Sequence, residues 1–296
     1  MAQVESGGIE KKIKNREIEV ERTIIKNSTG LDEIIIPLPK VKGFENIRII
    51  KDKDESEGIK HMCDDNYQLA RKYYLGKVKE DSYDSMSWNN YAVVFEWAGV
   101  SKNKIRIYEK ALKINDNNSV ALFNLGMHQI LEKRVRKKKS DFYSKGISNL
   151  KKAAKLAPKN VHMQYFTGVA LEINNRHTEA ISYFKKALKL DPENIKAQYG
   201  IGFTYLKWKN KTAALRELKK ALELDPEHID AHIGLSQIYR ENGRVDKAIQ
   251  HVNMALEQIP SYLPALKEKR LVEDQAGHGV ESIKTSMKIM KVKMGF

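Results

Sequence analysis

Three stretches of this chain end alike: FKKALKLDPEN (184–194), LKKALELDPEH (218–228) and VNMALEQIPSY (252–262), each 34 residues after the last. A fixed period of this length constrains the fold more than any local signal. It means that one supersecondary unit is stacked on copies of itself, because no single unit buries its own apolar face. Aligned backwards, the windows 161–194, 195–228 and 229–262 share a scaffold of small residues. Position eight is Gly168, Gly202 or Ser236; position twenty is Ala180, Ala214 or Ala248; position twenty-seven is Ala187, Ala221 or Ala255. Small side chains at these intervals let two helices approach closely, and larger ones fill the remaining gaps. The fillers are Leu171, Tyr205 and Tyr239 at position eleven, with Phe184, Leu218 and Val252 at twenty-four. Pro192, Pro226 and Pro260 then end each second helix, since proline cannot continue the hydrogen-bond ladder.

The period and the Gly/Ala/Ala/Pro scaffold resemble the tetratricopeptide repeat (TPR) family over 161–262 without gaps. Two further units lie upstream. Residues 85–118 keep Trp88, Tyr91, Phe95, Tyr108 and Ala111, but carry Ala92, Lys104 and Asp116 where the family has Gly, Ala and Pro. Residues 119–160 keep Leu122, Leu125, Gly126, Leu150, Ala153 and Pro158 and are eight residues too long. The resemblance implies an all-α fold: a TPR α-solenoid, a right-handed superhelix of helix hairpins, with a non-repeat N-terminal segment.

The flanks fit less well. The expected organisation is an N-terminal arm (1–60), a capping helix or degenerate repeat (61–84), five repeat units (85–262), and C-terminal capping helices with a basic tail (263–296). In the tail, Val280, Ile283, Met287 and Met290 form an apolar stripe at helical spacing, which reads as a sealing helix or as an interfacial membrane helix. The arm holds three β-like runs, EIEVERTII (17–25), DEIIIPLPK (32–40) and NIRIIKD (46–52). Isolated strands cannot bury an apolar face. Either the arm is partly disordered, or Ile34–Ile36 dock on the array or on a partner.

The resemblance also implies where a ligand goes. In the family the first helix of each hairpin lines the concave face and exposes positions five and nine. Here those positions in the three central repeats are Phe123 and Met127, Tyr165 and Val169, and Tyr199 and Phe203. A contiguous apolar patch marks an interaction surface, and aromatic side chains there suit a peptide or partner helix. The reading against it is that neighbouring helices or the arm cover these residues. The family's clamp for a C-terminal carboxylate is a poor match: starting at 85–118, its five places hold Asn89, Val93, Asn124, His162 and Phe166, and only Asn124 agrees. A second copy of the chain, receiving Ile34–Leu38, is a further candidate partner.

The run LEKRVRKKKSDFYSKG (131–146) contains the eight extra residues, an insertion between the two helices of one hairpin. Lys133, Arg134, Arg136, Lys137, Lys138 and Lys139 read either as a solvated loop or as a contact for phosphates, with Phe142 and Tyr143 beside them to stack on bases. The chain's net charge of +15 favours anionic partners at long range. An RNA- or anionic-membrane-associated adaptor using this loop and the C-terminal lysines is thus the alternative to a protein scaffold. Cys63 stands alone, which points to a reducing compartment, and no apolar run approaches the ~20 residues that span a bilayer; a cytoplasmic location is expected. No phosphate loop, nucleotide fingerprint or nucleophile elbow is present, so neither enzymatic activity nor a cofactor is expected. His228 and His232 have i, i+4 spacing but no third ligand placed for a metal.

Overall fold

The structure, a computed structural model, describes residues 23–25, 32–41, 44–52, 56–64, 66–97, 104–136 and 140–294. It opens with an antiparallel sheet of β1 (Thr23–Ile25), β2 (Asp32–Val41) and β3 (Phe44–Asp52), in that order. Two helices follow, α1 (Glu57–Cys63) and α2 (Tyr67–Glu80). The rest is helices in succession: α3 (Ser85–Trp97) and α4 (Lys104–Ile114), α5 (Ser119–Arg136) and α6 (Ser140–Leu156), α7 (Val161–Ile173) and α8 (His177–Leu190). Then come α9 (Ile195–Lys207) and α10 (Lys211–Leu224), α11 (Ile229–Glu241) and α12 (Val245–Gln258), α13 (Leu263–Gln275) and α14 (Gly279–Met294). The chain forms two compact units, Met1–Thr167 and Gly168–Phe296, whose boundary falls inside α7.

The repeat explains the helix boundaries. The helices α7, α9 and α11 begin at the first residue of their windows. Asn194 caps α9 and Asn210 caps α10, each accepting a backbone N–H three residues on. The first helices α7, α9, α11 and α13 are each followed at position fifteen by a residue with left-handed backbone: Asn175, Lys209, Gly243 and Gly277, at φ 59°, 62°, 72° and 74°. Glycine takes that conformation without a Cβ penalty, and asparagine at a small one. In the inserted hairpin α5 has 18 residues and α6 has 17, against 13 and 14 in α9 and α10. The insertion therefore lengthens both helices.

The small residues sit where helices touch. Gly126 and Gly146 face each other across α5 and α6, and a Cβ on Gly126 would stand 2.9 Å from the carbonyl oxygen of Gly146. In the second unit Phe184 is wedged between Gly168 and Gly200, and Leu218 between Gly202 and Gly234. Ser236, which replaces glycine at position eight of 229–262, donates its hydroxyl to Ala248 O at 2.9 Å and so ties its two helices together. Ala187, Ala221 and Ala255 are fully buried.

In the described part of the arm, the alternative in which Ile34–Ile36 dock on the array is the one that fits; residues 1–22, 26–31, 42–43 and 53–55 lie outside the described residues. Ile34, Ile36 and Ile50 join one core with Ile59, Tyr74, Val93 and Leu125, so β2 and β3 bury their apolar face on helices of the first unit. Ile35 and Ile49, on the opposite face of the strands, are buried as well.

Gly126→Ala should destabilise the chain by about 1–3 kcal/mol, because a Cβ there would meet the Leu150 side chain at 2.8 Å and the Gly146 carbonyl oxygen at 2.9 Å, and the carbonyl is backbone that cannot rotate aside. Urea unfolding followed by circular dichroism checks this; Gly76→Ala, where nothing lies within 4 Å, is the control and should not destabilise.

Candidate functional site

In Met1–Thr167 the first-helix face is already covered. Strand β3 lies against α3 and α5, and β2 also touches α5. As the edge of its sheet, β3 has backbone groups that no further strand can satisfy. Asparagines satisfy them. Asn124 accepts the Ile49 N–H at 2.8 Å and donates to Ile49 O at 2.7 Å, so its side-chain amide does what a neighbouring strand would do. Asn89 donates to the same carbonyl at 3.2 Å and accepts from Asn124 at 2.8 Å. Asn90 donates to Lys51 O at 3.0 Å. These are positions five and six of the first two repeats. Asn124, which agrees with the carboxylate clamp when the match starts at 85–118, grips a strand of its own chain.

Arg48 adds a charged anchor. It is completely buried, and its Nε donates to Glu96 Oε2 at 2.7 Å while Nη2 donates to Oε1. Glu96 also accepts from the Tyr108 hydroxyl at 3.1 Å and pairs with His128 Nδ1 at 2.9 Å. Burial alone would raise the Glu96 pKa, but the Arg48 charge and the His128 hydrogen bond outweigh it and hold the carboxyl well below the usual range. Burial and the facing Glu96 charge push the Tyr108 hydroxyl well above its ordinary value. A cluster so satisfied has the marks of a structural anchor.

The six groove positions therefore divide. Phe123 and Met127 are 0% and 1% exposed, which corrects their reading as an open binding surface. Strands β2 and β3 lie against α5, which carries both, and Phe123 meets the Phe166 ring edge-on at 6.1 Å; Ile34–Ile36 are buried within their own chain instead of standing free for a second copy. Tyr165, half-buried, meets Phe166 edge-on at 5.0 Å. In Gly168–Phe296, α11 lies against both α9 and α13, so the first helices share one face. Val169, Tyr199 and Phe203 are half-buried there. Tyr199 stacks on Phe203 at 5.6 Å and on His228 at 4.8 Å. Lys207 stands 5.0 Å over the Phe203 ring and 2.7 Å from the buried Glu172 carboxylate. The result is an aromatic shelf with a cation and an anion at one end.

Other sequence candidates stay apart from this shelf. Lys137, Lys138 and Lys139 lie outside the described residues, and so do the side chains of Lys133, Arg134 and Arg136, whose backbone belongs to α5. His228 Nδ1 accepts the Ala231 N–H as the cap of α11, and burial lowers its pKa. His232 pairs with His251 at 3.0 Å and with Pro226 O at 2.8 Å. Among the described residues no group of three His, Cys, Asp or Glu could hold a metal ion. Also among them, no helix is long and apolar enough to cross a membrane. One feature escaped sequence reading: Trp208, 47% exposed, stacks on Tyr205 at 6.2 Å and His177 at 5.9 Å. Its signal was an i, i+3 aromatic pair at a helix end.

The fold defines a class first: an α-solenoid of helix hairpins that carries a small N-terminal sheet. Residues 138–195 and 209–269 match family models described as tetratricopeptide repeat, and the repeat array is a tetratricopeptide array. Solved structures agree in fold. YrrB, described as a TPR protein with an unusual peptide-binding site, is 20% identical, with a TM-score of 0.56 over 68% of this chain and all of its own. PilW, described as a widely conserved type IV pilus biogenesis factor, is 16% identical, with a TM-score of 0.59 over 71% of this chain and 94% of its own. The pilF product of Pseudomonas aeruginosa is 17% identical, with a TM-score of 0.58 over 71% and 92%. No curated protein sequence matches the chain.

Glu96→Gln should cost about 3–5 kcal/mol, because it strands the Arg48 guanidinium without a counter-charge. The paired change Arg48→Met with Glu96→Leu should cost much less. Urea midpoints of the two variants against the parent decide the matter; equal losses would remove the ion pair from the account.

Proposed function

We propose that the chain is a non-catalytic protein-interaction scaffold that holds a peptide or partner helix on the first-helix face of Gly168–Phe296, with Tyr199 and Phe203 as anchors and Val169 beside them. The observation that carries this reading is the stacked Tyr199–Phe203 pair, left half-exposed where the equivalent residues of the first unit are covered. Large planar side chains at low conformational cost are what binding hot spots are made of. The Lys207–Glu172 pair at the end of the shelf would fix the direction of a bound chain through its backbone groups. Phe123 and Met127 have a packing role in this reading, and Tyr165 lies in the other unit. Cys63 is the one cysteine of the sequence, which supports a reducing location such as the cytoplasm.

The test is to select peptide ligands from a random library on the full chain and to measure their affinity by fluorescence anisotropy. Joint Tyr199→Ala and Phe203→Ala substitution should weaken binding at least ~10-fold, corresponding to loss of one anchor or more. Binding to the parent should survive ~0.5 M salt, because the anchors are apolar. Unchanged affinity in the double variant would remove this face as the site.

A further inference from the structure

Helix α14 carries an exposed apolar stripe besides the face it buries. Ser282, Thr285 and Ile289 are buried on the side facing α13, where Ser282 donates its hydroxyl to Asp274. On the opposite side Val280, Ile283, Met287, Met290 and Met294 are 63%, 59%, 54%, 55% and 65% exposed. Stacking by itself does not explain this second face. Ile249 and Leu256 of α12 hold the repeat positions that Ile283 and Met290 hold on α14, and both pack into clusters that include α13 residues. The neighbouring positions are polar in the preceding repeats: Asp246 and Asn253 on α12, Thr212 and Lys219 on α10. On α14 they become Val280 and Met287. Along this face α14 is thus more apolar than α10 and α12 are at the same repeat positions.

The spacing of the stripe says what shape covers it. Val280, Ile283, Met287, Met290 and Met294 alternate by three and four residues, the a and d positions of a coiled-coil seam. Such a seam is narrow. It fits one helix and is too thin for the broad apolar face with which a helix lies in a bilayer surface. The flanks say what charge covers it. Lys284 and Lys291 fall at e, Lys293 falls at g, and Lys288 lies beside the same flank. Glu281 is the only acidic residue of the helix; it stands 3.8 Å from Lys284 with both side chains exposed, where solvent screens the pair. Two copies of α14 would set lysine against lysine along the seam, so self-pairing is disfavoured.

We infer that α14 is a docking helix for an acidic amphipathic helix of another protein, seated on Val280–Met294 with its carboxylates along Lys284, Lys288 and Lys291. This site is separate from the Tyr199–Phe203 shelf.

The probe is a synthetic four-heptad peptide with Leu at a and d and Glu at e and g, titrated against the full chain. Its counterpart carries Lys in place of Glu. The acidic peptide should bind and the basic one should not. Joint Ile283→Asp and Met287→Asp substitution, at exposed positions that leave the circular dichroism unchanged, should weaken binding at least ~10-fold. Joint Lys284→Glu, Lys288→Glu and Lys291→Glu substitution should invert the preference between the two peptides. Tyr199→Ala with Phe203→Ala should leave binding intact; its loss there would mean the peptide sits on the shelf and would overturn the inference. So would three other results: no binding of the acidic peptide, capture of the chain only by phosphatidylserine vesicles, or self-association in sedimentation equilibrium that Ile283→Asp abolishes.

Discussion

The close approach of paired helices is the constraint on which the remainder depends. Where Gly126 meets Gly146, and where Phe184 and Leu218 each sit between two glycines, the contact leaves no room for another methyl group. Helices brought this close direct their larger side chains outward, to the next hairpin or to the face formed by the first helices. Each repeat is therefore half a solution. It packs its own two helices and leaves an apolar face that something else must cover or use.

The two units resolve that face differently. In Met1–Thr167 the chain covers it with its own strands, and the match extends beyond apolar contact. Asn89, Asn90 and Asn124 supply hydrogen bonds to the edge of β3, and Glu96 receives the Arg48 charge. An edge strand placed there without these partners would leave buried polar groups unpaired at about 1–3 kcal/mol apiece, so the polar residues select the strand's register as much as the isoleucines do. In Gly168–Phe296 the corresponding positions carry Tyr199 and Phe203, which make stacking contacts with each other and with His228.

The hairpins were legible because their signal repeats. Small residues at positions eight, twenty and twenty-seven recur every 34 residues over 161–262, a pattern with one explanation, and the helix starts followed from it. Gly200 and Gly234 at position six, and the left-handed turn at position fifteen, recur with the same period and were equally available. What was not legible was which face is filled. Phe123 and Tyr199 hold the same repeat position and are both large and aromatic, yet one is fully buried and the other is not. The helix that carries Phe123 has strands from residues 32–52 lying against it, about 70–90 positions earlier in the chain, and no local pattern records such a pairing. Arg48 illustrates the same limit. In a β-like run it reads as a surface charge, and only the fold brings it to Glu96, 48 residues on.

Covering of the first unit by its own strand is the claim from which the division of labour follows. Hydrogen–deuterium exchange of the full chain, read at the amides of Phe44–Asp52, tests it most directly. The account predicts that Ile49, whose N–H is held by Asn124, exchanges as slowly as the core of α5. Exchange of that amide at the rate of an unstructured peptide, while α5 stays protected, would contradict it.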